Sequence, residues 1–137
     1  MGGLLTIDVL ESNKKAVNNA KQLILQPQRD IEKVRAYLHN INYKIINEEM
    51  LIEAGKYYTI INAIKGIDEE YSEIEYYFGK FLLNKKSAVL KQFIDHEYKK
   101  INIVLENISS NAIENADERI AQLKHLKALY EEGLKCL

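Results

Sequence analysis

One cysteine, one proline and no tryptophan occur among the 137 residues. The lone cysteine, Cys136, excludes an internal disulfide, and its place beside the C-terminus removes it as a catalytic nucleophile. A reducing cytoplasm is the compartment that fits. No apolar run reaches the roughly 20 residues of a membrane span, and Met1 is not followed by the basic region and apolar core of a secretion signal. No membrane partner is expected. Glycine is scarce too, six in all, and no Gly-x-Gly-x-x-Gly turn, Walker lysine or nucleophile elbow occurs. The recognisable cradles for phosphate or adenosine are therefore missing.

What is present is a chain that is 47% apolar and 28% charged, with a net charge of -1. That composition suits one core of ordinary size with a helical extension, and excludes a disordered chain. Charge is uneven. Residues 1–79 carry 9 basic and 12 acidic side chains, net -3, whereas residues 80–137 carry 10 and 8, net +2.

Along the chain, Leu4, Leu5, Ile7, Val9 and Leu10 suggest a short helix ending near Ser12, followed by a polar stretch from Asn13 to Lys21. Leu23-Ile24-Leu25, stopped by Gln26-Pro27, has the form of a strand buried on both faces. Ile31, Val34, Leu38 and Ile41 make one helical stripe, with Asp30 placed to cap or favour the helix start. Tyr43–Ile52 and Tyr57–Ile64, joined by Glu53-Ala54-Gly55-Lys56, carry a hairpin signal. Gly66 and the acidic run after it mark a domain boundary, giving 1–66 and 67–137, and one or two short helices are expected around Gly79. Leu90, Ile94, Tyr98, Ile101, Leu105 and Ile108 then step at close to the 3.5 average of a coiled coil. After Ser109-Ser110-Asn111 a second stripe runs Ile113, Ala116, Ile120, Leu123, Leu126, Tyr130, Leu134, with Asn115 and Glu118 spaced as a capping box. Two such stripes joined by a short polar loop should pack antiparallel. Gly133 should fray the last turn.

Candidate chemistry is thin. His39, His96 and His125 lack partners at metal-ligand spacing, so no metal site is expected. Asp95-His96-Glu97 points in three directions on a helix. Glu48-Glu49 and Asp68-Glu69-Glu70 read as solubilising charge at the ends of elements. Gly2-Gly3 before a helix could let backbone approach a ligand. Lys80, Lys85, Lys86, Lys91, Lys99 and Lys100 could grip phosphates, or could simply form a solvated face.

The runs Met1-Gly2-Gly3-Leu4-Leu5 and Leu23-Ile24-Leu25-Gln26-Pro27 resemble the glycine turn and strand end of the bacterial tRNA (adenine(22)-N(1))-methyltransferase family, class I enzymes dependent on S-adenosylmethionine. Val34-Arg35-Ala36-Tyr37-Leu38, Tyr57-Tyr58-Thr59-Ile60-Ile61 and Phe78-Gly79-Lys80-Phe81-Leu82-Leu83 continue the likeness in the family's order. Tyr37 and Lys80 stand where the family more often shows Trp and Pro. The resemblance implies an α/β remnant of a Rossmann-like methyltransferase sheet with a terminal antiparallel hairpin, followed by an α-helical coiled-coil hairpin. It places Met1, Gly2, Gly3, Gln26 and Pro27 beside the cofactor or substrate pocket and makes tRNA the partner of the lysines. The family's first four strands and its S-adenosylmethionine-binding glycine loop have no counterpart here. The chain is thus expected to be a C-terminal half, with the cofactor bound by the intact parent and none by this chain, and to be inactive alone. No catalytic side chain is identified. A bare strand edge at Leu23–Leu25 follows, and with it the rival expectation of a non-catalytic helical module that self-associates.

Overall fold

The computed structural model describes residues 1–110 and 116–137. Its elements are α1 (Gly3–Ser12), α2 (Lys14–Asn19), β1 (Gln22–Leu25), α3 (Ile31–Asn40), β2 (Tyr43–Glu53), β3 (Lys56–Lys65), α4 (Glu73–Phe78), α5 (Lys80–Asn84), α6 (Ala88–Ser110) and α7 (Ala116–Cys136). They fall into two compact units, Met1–Lys85 and Lys86–Leu137. The division comes after α5 and not at Gly66, because the segment after Gly66 is tied back into the first unit. The Arg35 guanidinium donates to the Tyr76 and Tyr77 carbonyls at 2.7 and 2.9 Å.

In the first unit the three strands form an antiparallel sheet in the order β1-β3-β2. The β2–β3 hairpin turns through Ala54 and Gly55 alone, at φ 50 and 76. Positive φ at both central residues is what the two-residue loops matched to strand twist demand, and glycine adopts it without steric cost. The connection is therefore shorter than the four residues expected. β2 carries a bulge between Ile45 and Asn47. Val34 and Leu38 of α3 lie against Tyr43, Ile45, Ile61 and Ala63 in a core that Leu10, Val17 and Tyr71 complete.

Three expectations for this unit are corrected. The polar stretch after Ser12 contains α2, whose final carbonyls are met by the Tyr43 hydroxyl, which reaches Val17 and Ala20 at 2.5 and 2.6 Å. Burial pushes that hydroxyl's pKa up. β1 is not buried on both faces: it alternates, and Ile24 is 67% exposed. Its one partner among the described residues is β3, in antiparallel register from Gln22↔Ile64 to Leu25↔Ile61. Asp30 makes no side-chain cap; it sits at φ 52 and pairs with Lys33.

Ser72 and Glu75 form a capping box at the start of α4, satisfying two helix-end donors at once. The serine-x-x-glutamate spacing was there to be read, and was missed.

The second unit is the helix pair α6 and α7. Leu90, Ile94 and Ile101 are buried along α6, with Tyr98, Leu105 and Ile108 half-buried, so one stripe faces inward as its spacing predicts. On α7 the buried or half-buried positions include Ile120, Leu123, Leu126, Tyr130 and Leu134. Tyr98 donates to Glu131 at 3.2 Å and lies under the Lys127 ammonium, 5.7 Å from the ring centre. α6 runs on through Ser109-Ser110, which were expected to open the loop. Gly133 is buried within α7, which continues to Cys136. Ile113 and Asn115, which the second stripe and the capping box need, lie outside the described residues.

Candidate functional site

The start of α1 crosses the loop that leaves β1. Gly3 N–H donates to the Arg29 carbonyl and Gln28 N–H to the Met1 carbonyl, each at 2.7 Å. A Cβ at Gly3 would lie 2.3 Å from the Arg29 oxygen and 2.6 Å from that of Asp30. Glycine is required there for the approach of the chain's own backbone. The Thr6 hydroxyl closes the first turn on the Gly2 carbonyl at 3.0 Å. Pro27 is fully buried beneath this crossing.

Beside it opens a cavity of about 460 Å³ lined by Met1, Thr6, Leu25, Gln26, Gln28 and Tyr58, among others. Of the residues singled out from sequence, Met1 and Gln26 line it, while Gly2, Gly3 and Pro27 build the crossing next to it. The lining side chains are apolar with amide and hydroxyl groups and include no carboxylate or ammonium. Such a surface can hold a flat heterocycle by contact and by neutral hydrogen bonds, but offers no side chain to take up or deliver a proton at neutral pH. At the far end of α1, Glu11 accepts from the Tyr37 hydroxyl. Loss of water and the facing carboxylate push that tyrosine up to about 12.

The lysines do not act as one set. Lys80 donates to Glu69 at 3.0 Å, with its charge 5.8 Å from the Tyr71 ring centre, and Lys85 pairs with Glu49 at 2.7 Å. Both belong to the first unit. In the second, Lys100 pairs with Glu97 at 3.3 Å, and Lys86, Lys91 and Lys99 are exposed, with no salt bridge among the described residues.

Two clusters were missed from the sequence. Glu48, taken for surface charge, is fully buried and takes a forked contact from Arg35: Nε to both carboxylate oxygens at 3.2 and 3.0 Å, and Nη2 to Oε1 at 2.8 Å. Gly79, at φ 89, lies so near this pair that a Cβ would be 2.9 Å from Arg35 Nη2 and 3.0 Å from Glu48 Oε2. Asp68, also taken for surface charge, is nearly buried. Its Oδ2 meets His39 Nε2 at 2.8 Å and the Ile45 N–H at 3.1 Å, and His39 Nδ1 meets the Tyr76 hydroxyl at 2.9 Å. Neither cluster borders the cavity. Both hold the 67–79 segment onto α3 and β2.

Known proteins resemble this chain over most of its length. Residues 1–129 match the family model described as tRNA (adenine(22)-N(1))-methyltransferase. The Bacillus subtilis (strain 168) protein of that description is 31% identical over 131 residues, which cover 92% of this chain and 54% of that protein. An uncharacterized Listeria monocytogenes serotype 4b protein superposes with a TM-score of 0.90 at 29% identity, over 98% of this chain and 60% of the other. A Streptococcus pneumoniae protein solved in complex with S-adenosyl-L-methionine gives 0.84 at 29% identity, over 98% and 56%. The chain thus spans little more than half the length of these relatives. With matched sequence running from the glycine crossing through α6 and into α7, the chain belongs to the tRNA (adenine(22)-N(1))-methyltransferase family.

Proposed function

We propose that this chain is the C-terminal portion of an S-adenosylmethionine-dependent tRNA adenine-N1 methyltransferase, supplying the substrate side of the pocket, and that it is inactive alone. The observation that carries the reading is the cavity at the end of β1, where the glycine crossing and Gln26 meet. In open, mostly parallel sheets such as the resemblance implies for the intact parent, ligands bind beyond the carboxyl ends of the strands. Gln26 directly follows the end of β1, and Gln28 and Thr6 line the same cavity. Their role is to hold the target adenine with N1 oriented for attack and to exclude water, which is mainly a matter of positioning.

The residues present do not fit the whole cofactor. The sheet is antiparallel throughout, no glycine-rich loop follows a parallel strand among the described residues, and no carboxylate lines the cavity to receive ribose hydroxyls. S-adenosylmethionine therefore belongs to the intact parent. The helix pair, read as a coiled-coil hairpin, assists tRNA binding through Lys86, Lys91 and Lys99, which keep their charges available; Lys80, Lys85 and Lys100 contribute less, being engaged with carboxylates.

Incubating the purified chain with S-adenosylmethionine and tRNA should give no methyl transfer, and transfer would overturn the reading. Its affinity for tRNA should fall steeply with salt, and replacing Lys91 or Lys99 by Ala should reduce the salt slope by about 1 each. A response that is flat with salt would remove the lysines' role. A second reading, a non-catalytic module that self-associates, draws on the unpaired edge of β1.

A further inference from the structure

The cavity at the end of β1 gathers polar groups that the first unit does not use. The side-chain amides of Gln26 and Gln28 and the Tyr58 hydroxyl line it, and none of the three has a hydrogen-bond partner among the described residues. Thr6, the other polar side chain of the lining, is occupied with the Gly2 carbonyl. A scattered surface amide is satisfied by water. Two amides and one aromatic ring converging on a cavity of about 460 Å³ with otherwise apolar walls have the form of a recognition site. The backbone beneath them is fixed. Leu25 pairs with Ile61, and the fully buried Pro27 restricts the residue before it to extended conformations. Gln26 stands between the two, so its direction into the cavity is set from both sides.

A methyl group reaches N1 of adenine only when the N1 lone pair is left open, so no donor from the protein can sit on it. The edge that remains to tell adenine from other purines is the N6 amino group with N7. One carboxamide matches that pair, its oxygen accepting from N6 and its N–H donating to N7. Guanine and hypoxanthine present two acceptors there, O6 and N7, and one of them would face the amide oxygen. A carboxylate would lack the donor for N7 and an ammonium the acceptor for N6. We infer that Gln26 is the specificity-determining residue of this pocket: its carboxamide reads N6 and N7 of the target adenine, with the Tyr58 ring against the base, and leaves N1 open to the methyl donor. The inference rests on the methyltransferase reading for the base and goes beyond it in naming the edge that is read and the side chain that reads it.

The test titrates the full 137-residue chain with free nucleosides and follows the backbone amides of Gln26, Gln28 and Tyr58 by NMR. Adenosine should shift all three. 1-Deazaadenosine should bind within about twofold of adenosine, whereas 7-deazaadenosine should bind about fivefold and inosine about tenfold more weakly. Gln26→Glu keeps an acceptor for N6 and loses the donor for N7. It should weaken adenosine about fivefold and so erase its advantage over 7-deazaadenosine, while Gln28→Glu preserves that advantage. Both glutamines are exposed, so neither change should move the chain's thermal unfolding. An advantage that survives Gln26→Glu, or that Gln28→Glu erases instead, overturns the inference and leaves the pocket's proposed role standing. So does a loss of binding with 1-deazaadenosine, which would mean that N1 itself is held. No shift with adenosine at all removes the inference and the substrate pocket together.

Discussion

Two sides of the first unit differ in how fully their groups are used. On the side where α3, β2, α4 and α5 meet, a buried guanidinium finds carboxylate and carbonyl partners and a histidine is held at both ring nitrogens. On the side of α1 and β1, large apolar side chains face outward and a strand edge has no neighbour among the described residues. The difference teaches where the chain's own residues suffice. The first side is closed by its own sequence and should be rigid; the second leaves apolar surface exposed.

The comparison breaks most sharply at the buried ion pair. Glu48→Leu leaves the Arg35 charge without its counter-ion, a change that costs about 3–5 kcal/mol, read as a lowered midpoint in urea unfolding. Adding Arg35→Met should restore much of the loss, because the penalty lies in the orphaned charge. Should the single change prove neutral, the closed side is less rigid than its contacts imply. Next comes Gly79→Ala, which forces a side chain into a positive φ against Arg35 and should cost about 1–3 kcal/mol in the same measurement. The smallest effect tests the one loose end on the closed side. The Tyr71 hydroxyl is buried with no hydrogen-bond partner. Burial and the nearby Asp68 and Glu48 charges push its pKa well above the ordinary tyrosine value, so it stays neutral. Tyr71→Phe should therefore be neutral or stabilise by about 1 kcal/mol.

Much of this architecture was legible in the sequence. The stripes of α3, α6 and α7 and the Ala54-Gly55 turn announced themselves through spacing and glycine. α2 did not, because its six residues bury only Val17 and make no stripe. The orientation of β1 was misjudged because Leu23-Ile24-Leu25 is apolar throughout; a strand with one open face lacks the alternation that would reveal it until its missing cover is known. The candidate site was half legible. Of the residues that the resemblance sets beside a pocket, Met1 and Gln26 line the cavity, whereas Gly3 serves a backbone crossing that only tertiary structure displays. Arg35 and Glu48 escaped because nothing in a linear chain says that a charge on α3 will be matched by one on β2. Gly79 stood out within Phe78-Gly79-Lys80, and only the ion pair beneath it gives the reason.

The extra residue in β2 decides which of two adjacent carboxylates becomes structural. Before it, the odd-numbered Tyr43 and Ile45 point inward; after it, Glu48 opposite Ile61 does, and Glu49 is left outside with Lys85. Ile46 acts as a phase shifter. Pairing it as an ordinary strand residue would exchange the two glutamates' places and send the anchor of Arg35 into solvent, whereas deleting it would close the bulge and leave Glu48 opposite Ile61. How that one residue is accommodated therefore sets the face of every residue beyond it, and counting positions along the strand matters as much as naming them.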